Sequence, residues 1–276
     1  MDAHHIQRQR LDLRSVSVWY SMTGRPVPVV REVSLSINPG ETLGVVGTTG
    51  SGKSTLGLSI LRLLPRGATV SGSILLGEED LLQCSDARMR DIRGRSIGMI
   101  FQDSLASLNP VLTVRSQVAE TLRRHDKTLS RAAARSRAEE VLVELGIPAN
   151  RIRSYPHEFS GGMRQRAMIA IALAANPSFL IADESTAELD APTQLRILEL
   201  LAEVQAERGL GLVVISHDLA VINRVCERVA VLSKGTLVEQ GPSSEVLRNP
   251  ESDYTRGLLR MSAKAMTPGR RLYTYR

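Results

Sequence analysis

The chain has 276 residues, 42% of them hydrophobic and 23% charged, which is apolar enough to fold around a large core and excludes an intrinsically disordered segment. The formal charge of +6 suits an anionic partner, but aromatic residues make up only 3%, so the basic groups lack the stacking rings of a nucleic-acid platform, and no nucleic-acid partner is expected. Met1 to Arg10 is polar with no secretory leader pattern, and the apolar run Ala167 to Ala182 is broken by Asn176, Pro177 and Ser178, short of the ~20 residues that span a bilayer. Cys84 and Cys226 lie far apart without metal-ligand spacing, which predicts ordinary thiols.

Alternation in Leu11, Leu13, Val16, Val18 and Tyr20, then in Val33, Leu35 and Ile37, predicts two antiparallel strands joined by a Gly/Pro turn at Gly24 to Pro28. From Thr42 the pattern changes. Leu43, Val45 and Val46 read as a short buried strand, followed by a glycine-rich turn and an apolar-periodic helix over Ser54 to Leu64, stopped by Pro65. Further buried strands are predicted at Ile97 to Phe101, Phe179 to Ala182, Leu212 to Ile215 and Val229 to Leu232. Helical stretches between most of them imply an α/β fold with a mainly parallel core sheet after an N-terminal antiparallel β part. Two charged segments, Val114 to Arg124 and Arg131 to Leu145, read as part of an inserted helical subdomain of about residues 103–175. The expected division is a tail at 1–10, one domain at 11–260 and a second tail at 261–276.

Residues 47 to 54 read Gly-Thr-Thr-Gly-Ser-Gly-Lys-Ser, a phosphate loop set between a predicted strand and a predicted helix. Its glycines let backbone N–H groups turn toward phosphate oxygens, and the following helix adds its positive N-terminal end. Gly47, Thr48, Thr49, Gly50, Ser51, Gly52, Lys53, Ser54 and Thr55 are therefore candidate nucleotide contacts, with Lys53 on the β and γ phosphates and Ser54 on Mg²⁺. Such a loop alone specifies a nucleotide hydrolase or a kinase. The apolar run Phe179-Leu-Ile-Ala-Asp183-Glu184 ends in two carboxylates that divide the remaining labour. Asp183 is the candidate second ligand of Mg²⁺, and Glu184 the candidate group that orients and polarises the attacking water.

Ser160-Gly161-Gly162-Met163, followed by Arg164-Gln165-Arg166, resembles the signature motif of the ABC ATPases. The resemblance covers roughly residues 10 to 260 and implies a phosphate-loop ABC cassette in which the signature acts in trans on ATP held by a second subunit. It also implies roles for single residues. Gln102, in Phe101-Gln-Asp-Ser, matches the loop glutamine that contacts Mg²⁺. His217, in Ile215-Ser-His-Asp218, matches the switch histidine at the γ-phosphate. Leu189-Asp190 matches the end of the D-loop, and Tyr20 the aromatic residue that stacks on adenine, with the neighbouring Trp19 pointing to the opposite strand face.

Within the family, Phe101 to Val114, Phe159 to Arg166 and Tyr254-Thr-Arg-Gly-Leu-Leu259 look like the oligopeptide, dipeptide and nickel importer ATPases. This implies an ATP- and Mg²⁺-dependent motor on the cytoplasmic face of a bacterial inner membrane. Its partners would be a second, non-identical cassette, two transmembrane permease subunits and, indirectly, an extracytoplasmic solute-binding protein. Many relatives carry a cysteine-rich iron–sulfur segment near the C-terminus. None follows Leu259 in this sequence, so no cluster is expected. Ser185 stands where the family has proline, Glu188 where a small residue precedes Leu189, and Met163 where glutamine is usual; Glu188 would place a charge beside the partner's nucleotide. Repair ATPases insert a long coiled coil before the signature, whereas Gln102 and Ser160 are 58 positions apart. Translation ATPases carry two cassettes in one chain; the alternative to transport is the ABC ATPase of a non-transport complex, of phosphonate breakdown, DNA repair or translation.

Overall fold

A computed structural model of the chain describes residues 9–22, 25–102, 107–184 and 189–266. Two sheets organise it. The first is antiparallel, in the order β2-β1-β4-β5, from β1 (Leu11–Met22), β2 (Arg25–Ile37), β4 (Thr69–Leu76) and β5 (Glu79–Asp80). The second has the order β10-β9-β3-β8-β7-β6 and is built from β3 (Thr42–Val46), β6 (Ile97–Ile100), β7 (Phe179–Asp183), β8 (Gly211–Ser216), β9 (Arg228–Ser233) and β10 (Thr236–Pro242). Every pairing in this second sheet is parallel except that of the edge strand β10 with β9. The expected mainly parallel core sheet and antiparallel N-terminal part are both present.

Strands of the parallel sheet read as continuous apolar runs because both faces are covered. Leu43, Val45, Phe179, Ile181, Val213, Ile215, Ala230 and Leu232 face a core shared with the antiparallel sheet and with α1 (Lys53–Ile60). Val46, Leu180, Ala182, Leu212, Val214, Val229 and Val231 face the other way. That second core continues into α3 (Val114–His125), α4 (Arg131–Glu144) and α5 (Gly161–Leu173), which lie between β6 and β7 in the chain. The remaining helices are α2 (Asp86–Arg95), α6 (Ala191–Arg208), α7 (Leu219–Val225), α8 (Ser243–Val246) and α9 (Asp253–Met266). Helix starts are capped as sequence chemistry dictates: Thr113, Ser130, Ser160, Asp190 and Asp218 each accept a first-turn N–H.

Three expectations change. The Gly/Pro turn is shorter than expected, because Pro26 and Pro28 lie within β2, paired with Ser21 and Trp19. Proline is tolerated there because β2 is the edge of its sheet and has no second ladder to supply. The helix after the phosphate loop stops at Ile60 rather than Leu64. Arg62 takes a left-handed φ of 51°, and the carbonyls of Leu61 and Arg62 are claimed by the guanidinium of Arg93 at 2.8 and 3.0 Å. The last expected strand residue, Phe101, lies beyond the end of β6 and is exposed.

Candidate active site

The phosphate loop follows β3 at the C-terminal end of the parallel sheet, where open α/β sheets leave a crevice for ligands. Gly52 has φ 98° at the N-cap of α1, and a Cβ there would lie 2.7 Å from the carbonyl oxygen of Val29. Only glycine meets both demands. The loop then delivers Lys53 into the interior, 3% exposed, where its Nζ donates to the carbonyls of Gly47 and Thr48 at 2.9 and 3.1 Å. Burial lowers the pKa of this amine, while the carboxylates of Glu184 and Asp183 pull it back up.

Next along the helix, Ser54 Oγ donates to Asp183 Oδ1 at 2.8 Å, bringing the two candidate magnesium ligands together across 129 residues of sequence. Asp183 is 6% exposed, and burial pushes its carboxyl above the ordinary carboxylate range against the opposing hydrogen bond from Ser54. Hydroxyl and carboxylate oxygens are the donors a hard cation takes, so the pair fits Mg²⁺. Among the described residues no group of three or more His, Cys, Asp or Glu side chains could hold a metal ion.

Glu184 lies one residue beyond β7 with a left-handed φ of 42°, its N–H donating to the Ile215 carbonyl at 3.0 Å. Its Oε1 sits 3.9 Å from Lys53 Nζ and 3.5 Å from His217 Nδ1. His217 follows β8 and is largely exposed. A cavity of about 220 Å³ is lined by Val29, Thr49, Gly50, Gly52, Lys53, Ser54, Thr55, Gln102 and Glu184. Six of these belong to the phosphate loop and the start of α1, and the other three, Val29, Gln102 and Glu184, converge on it from β2 and from beyond the ends of β6 and β7. Tyr20 reaches the same neighbourhood, its phenol oxygen 3.1 Å from Thr55 Oγ1. Ser51 is 2% exposed and its Oγ has no hydrogen-bond partner, a polar orphan inside the phosphate loop.

The signature residues stand elsewhere. None of Ser160, Gly161, Gly162 and Met163 lines that cavity. They form the start of α5, where Ser160 Oγ accepts from Met163 N at 3.3 Å and the N–H groups of Gly161 and Gly162 have no helical carbonyl upstream. A Cβ on Gly162 would lie 2.8 Å from Thr193 Cγ2, so the missing side chain also lets α6 approach. Met163 is half-buried against the helical core rather than fully presented to solvent. Asp190 caps α6 by accepting from Thr193 N at 3.3 Å, and hydrogen bonding from the side chain of Thr193, with a smaller part from its N–H, holds the carboxyl below the usual range. Ser185 and Glu188 lie outside the described residues. Sequence reasoning missed Val29, whose strand edge forms one cavity wall, and Tyr254, whose hydroxyl touches Thr48. No helix among the described residues is long and apolar enough to cross a membrane.

The ABC transporter family profile matches residues 30–187. The chain is 44% identical over 253 residues to the oligopeptide transport ATP-binding protein OppD of Bacillus subtilis, covering 90% of this chain and 70% of that one. It is also 44% identical over 253 residues to the dipeptide transport ATP-binding protein DppD of the same organism, covering 90% and 75%. Among solved structures, a dimeric ATP-binding cassette in a post-hydrolysis state bound to ADP and Pi matches with a TM-score of 0.75 and 29% identity, over 84% of this chain and 98% of that one. The phosphate loop, the Asp183–Glu184 strand end and the signature helix thus occur together in a chain that belongs to the ABC transporter family and is one of its ATP-binding, ATP-hydrolysing cassettes.

Proposed function

We propose that this cassette powers the import of peptides, working beside a second cassette and two membrane-embedded permease subunits on the cytoplasmic face of a bacterial inner membrane. The names of the two Bacillus relatives support peptides over nickel as the solute class. The observation that carries the hydrolytic reading is the meeting of Lys53, Glu184 and His217 within 4 Å steps at the mouth of the phosphate loop.

On this reading Lys53 exchanges the carbonyls of Gly47 and Thr48 for oxygens of the β and γ phosphates, trading neutral acceptors for charged ones that bind more strongly. N–H groups of Thr49 to Thr55 and the start of α1 receive the remaining phosphate charge. Ser54, Asp183 and Gln102 would hold Mg²⁺, which when bound neutralises charge on the β and γ oxygens. Glu184 accepts a hydrogen bond from the attacking water and aims its lone pair at the γ-phosphorus, and His217 stands behind it to contact the γ-phosphate. Tyr20 carries the adenine.

The signature acts on a second molecule's nucleotide. Its N–H groups at the start of α5 do not line the phosphate-loop cavity of their own subunit, so on this reading the complementary phosphate is that of a partner. The likeness to a dimeric cassette supports this arrangement. We place a related, non-identical cassette as that partner, with a solute-binding protein delivering peptide from outside. The test is ATP turnover and dimerisation of Glu184→Gln. It should bind ATP, hydrolyse it about 10²- to 10⁴-fold more slowly and accumulate as an ATP-bound dimer. Near-parental turnover would refute the assignment.

A further inference from the structure

Tyr254 begins α9, 206 residues beyond Thr48, yet the two are joined twice: Thr48 N donates to the Tyr254 phenol oxygen at 3.1 Å, and Thr48 Oγ1 lies 3.0 Å from the same oxygen. Because the phenol oxygen already accepts the N–H, its own hydrogen is free to go to Oγ1, and the two bonds are compatible. Thr48 is also engaged on its far side, where its carbonyl accepts from Ser51 N at 3.1 Å and from Lys53 Nζ at 3.1 Å. Every polar atom of this residue is therefore engaged, its carbonyl by the loop and its N–H and hydroxyl by α9.

The start of α9 is itself anchored. Glu239 on β10 accepts from the N–H groups of Glu251 and Ser252 at 2.8 and 3.2 Å, and Ser252 Oγ accepts from Tyr254 N at 3.2 Å. Arg256 donates to the carbonyls of Pro250 and Glu251 at 2.8 and 2.9 Å. Thr255 is fully buried and Leu258 nearly so, so the helix cannot slide without breaking packing. The hydroxyl is presented by a rigid support.

We infer that Tyr254 is a positioning residue of the nucleotide site, holding Thr48, and with it the peptide on which Lys53 rests, in the arrangement that receives triphosphate. The C-terminal helix is on this account a working part of the phosphate loop. Thr48 is exposed, so in the free chain water replaces a lost phenol at little cost, whereas bound triphosphate requires the loop to stay ordered. The inference rests on residues 47–55 being the ATP site, and the test separates the two.

ATP is titrated against the full-length chain by displacement of a fluorescent ATP analogue, with Lys53→Ala as the control for the site. Tyr254→Phe should raise the Kd for ATP about two- to tenfold, the worth of one or two net hydrogen bonds, while the Tm without nucleotide stays at the parental value. Thr48→Val should weaken binding in the Tyr254 background and add nothing in Tyr254→Phe, because the Oγ1 bond it removes is already gone when the phenol oxygen is. Thr48→Ser, which keeps the hydroxyl, should bind like the parent. Parental affinity in Tyr254→Phe, additive losses in the double variant, or a fall in nucleotide-free Tm that accounts for the weaker binding would each overturn the inference. Parental affinity in Lys53→Ala would instead overturn the site on which it stands.

Discussion

Glu184 occupies a backbone conformation that an L-residue adopts only at a cost, and this separates its structural from its chemical part. With φ at 42°, any side chain bearing a Cβ carries a left-handed penalty of about 1–2 kcal/mol that glycine does not. Glu184→Ala and Glu184→Gly delete the same carboxylate and the same proximity to Lys53 and His217, so their difference isolates the backbone. At an ordinary position glycine is the less stable of the two by about 0.5–1 kcal/mol, because it loses more chain entropy on folding. Here the order should invert. Subtracting the middle of the entropy range, about 0.75 kcal/mol, from the middle of the penalty range, about 1.5 kcal/mol, leaves Glu184→Gly more stable than Glu184→Ala by about 0.75 kcal/mol, a Tm difference of roughly 1.5–3 °C for a domain of this size. Both should lose about 10²- to 10⁴-fold in turnover. Thermal melts of the nucleotide-free variants and their ATP turnover measure both effects. An alanine variant as stable as the glycine variant would show that the residue is not strained, and the strain could then play no part in aiming the carboxylate.

Lys53→Ala should weaken ATP binding at least tenfold, since the phosphates lose a charge-assisted partner, and a nucleotide titration of the purified chain would measure it. Phe179→Ala should cost about 3–5 kcal/mol in chemical denaturation, because the ring is fully buried and packs over Gly211, where a Cβ would lie 2.5 Å from Phe179 Cδ1. Mixing a Ser160→Arg subunit with a Lys53→Ala subunit should restore no turnover if the partner cassette is non-identical, and about one composite site per dimer if two copies of this chain pair.

Much of the site was legible because its chemistry admits few residue types. A lysine after three spaced glycines, a Ser beside it and two carboxylates at the end of an apolar strand point to a phosphate site before any fold is known, and Ser54 and Asp183 do meet at 2.8 Å. The alternating strands β1 and β2 were equally plain. By contrast β4 buries few residues along its length and holds Gly72 at φ 90°, where the register of β1 against β4 shifts, so its sequence carries no clean period. The strand β5 is only two residues long and exists by pairing with β4. The early end of α1 depends on Arg93, some thirty residues away, and local propensity cannot see it. The bond from Thr48 to Tyr254 is hidden for the same reason.

Two roles of the signature glycines follow from one geometry. A helix start that offers N–H groups to another molecule's phosphate must keep its first turn free of side chains, and the same bareness lets α6 pack beside it, with Leu189 Cδ2 3.2 Å from the place a Gly161 Cβ would take. Leu189 precedes Asp190, which caps α6, so the end of the D-loop and the start of α5 form one contiguous surface. A Cβ at Gly161 would press on Leu189 more tightly than ordinary van der Waals contact allows, so the bare glycine is what lets the two lie side by side. On the proposed reading, in which the signature meets a partner's nucleotide, a closed dimer would meet Leu189 and Asp190 on the same surface.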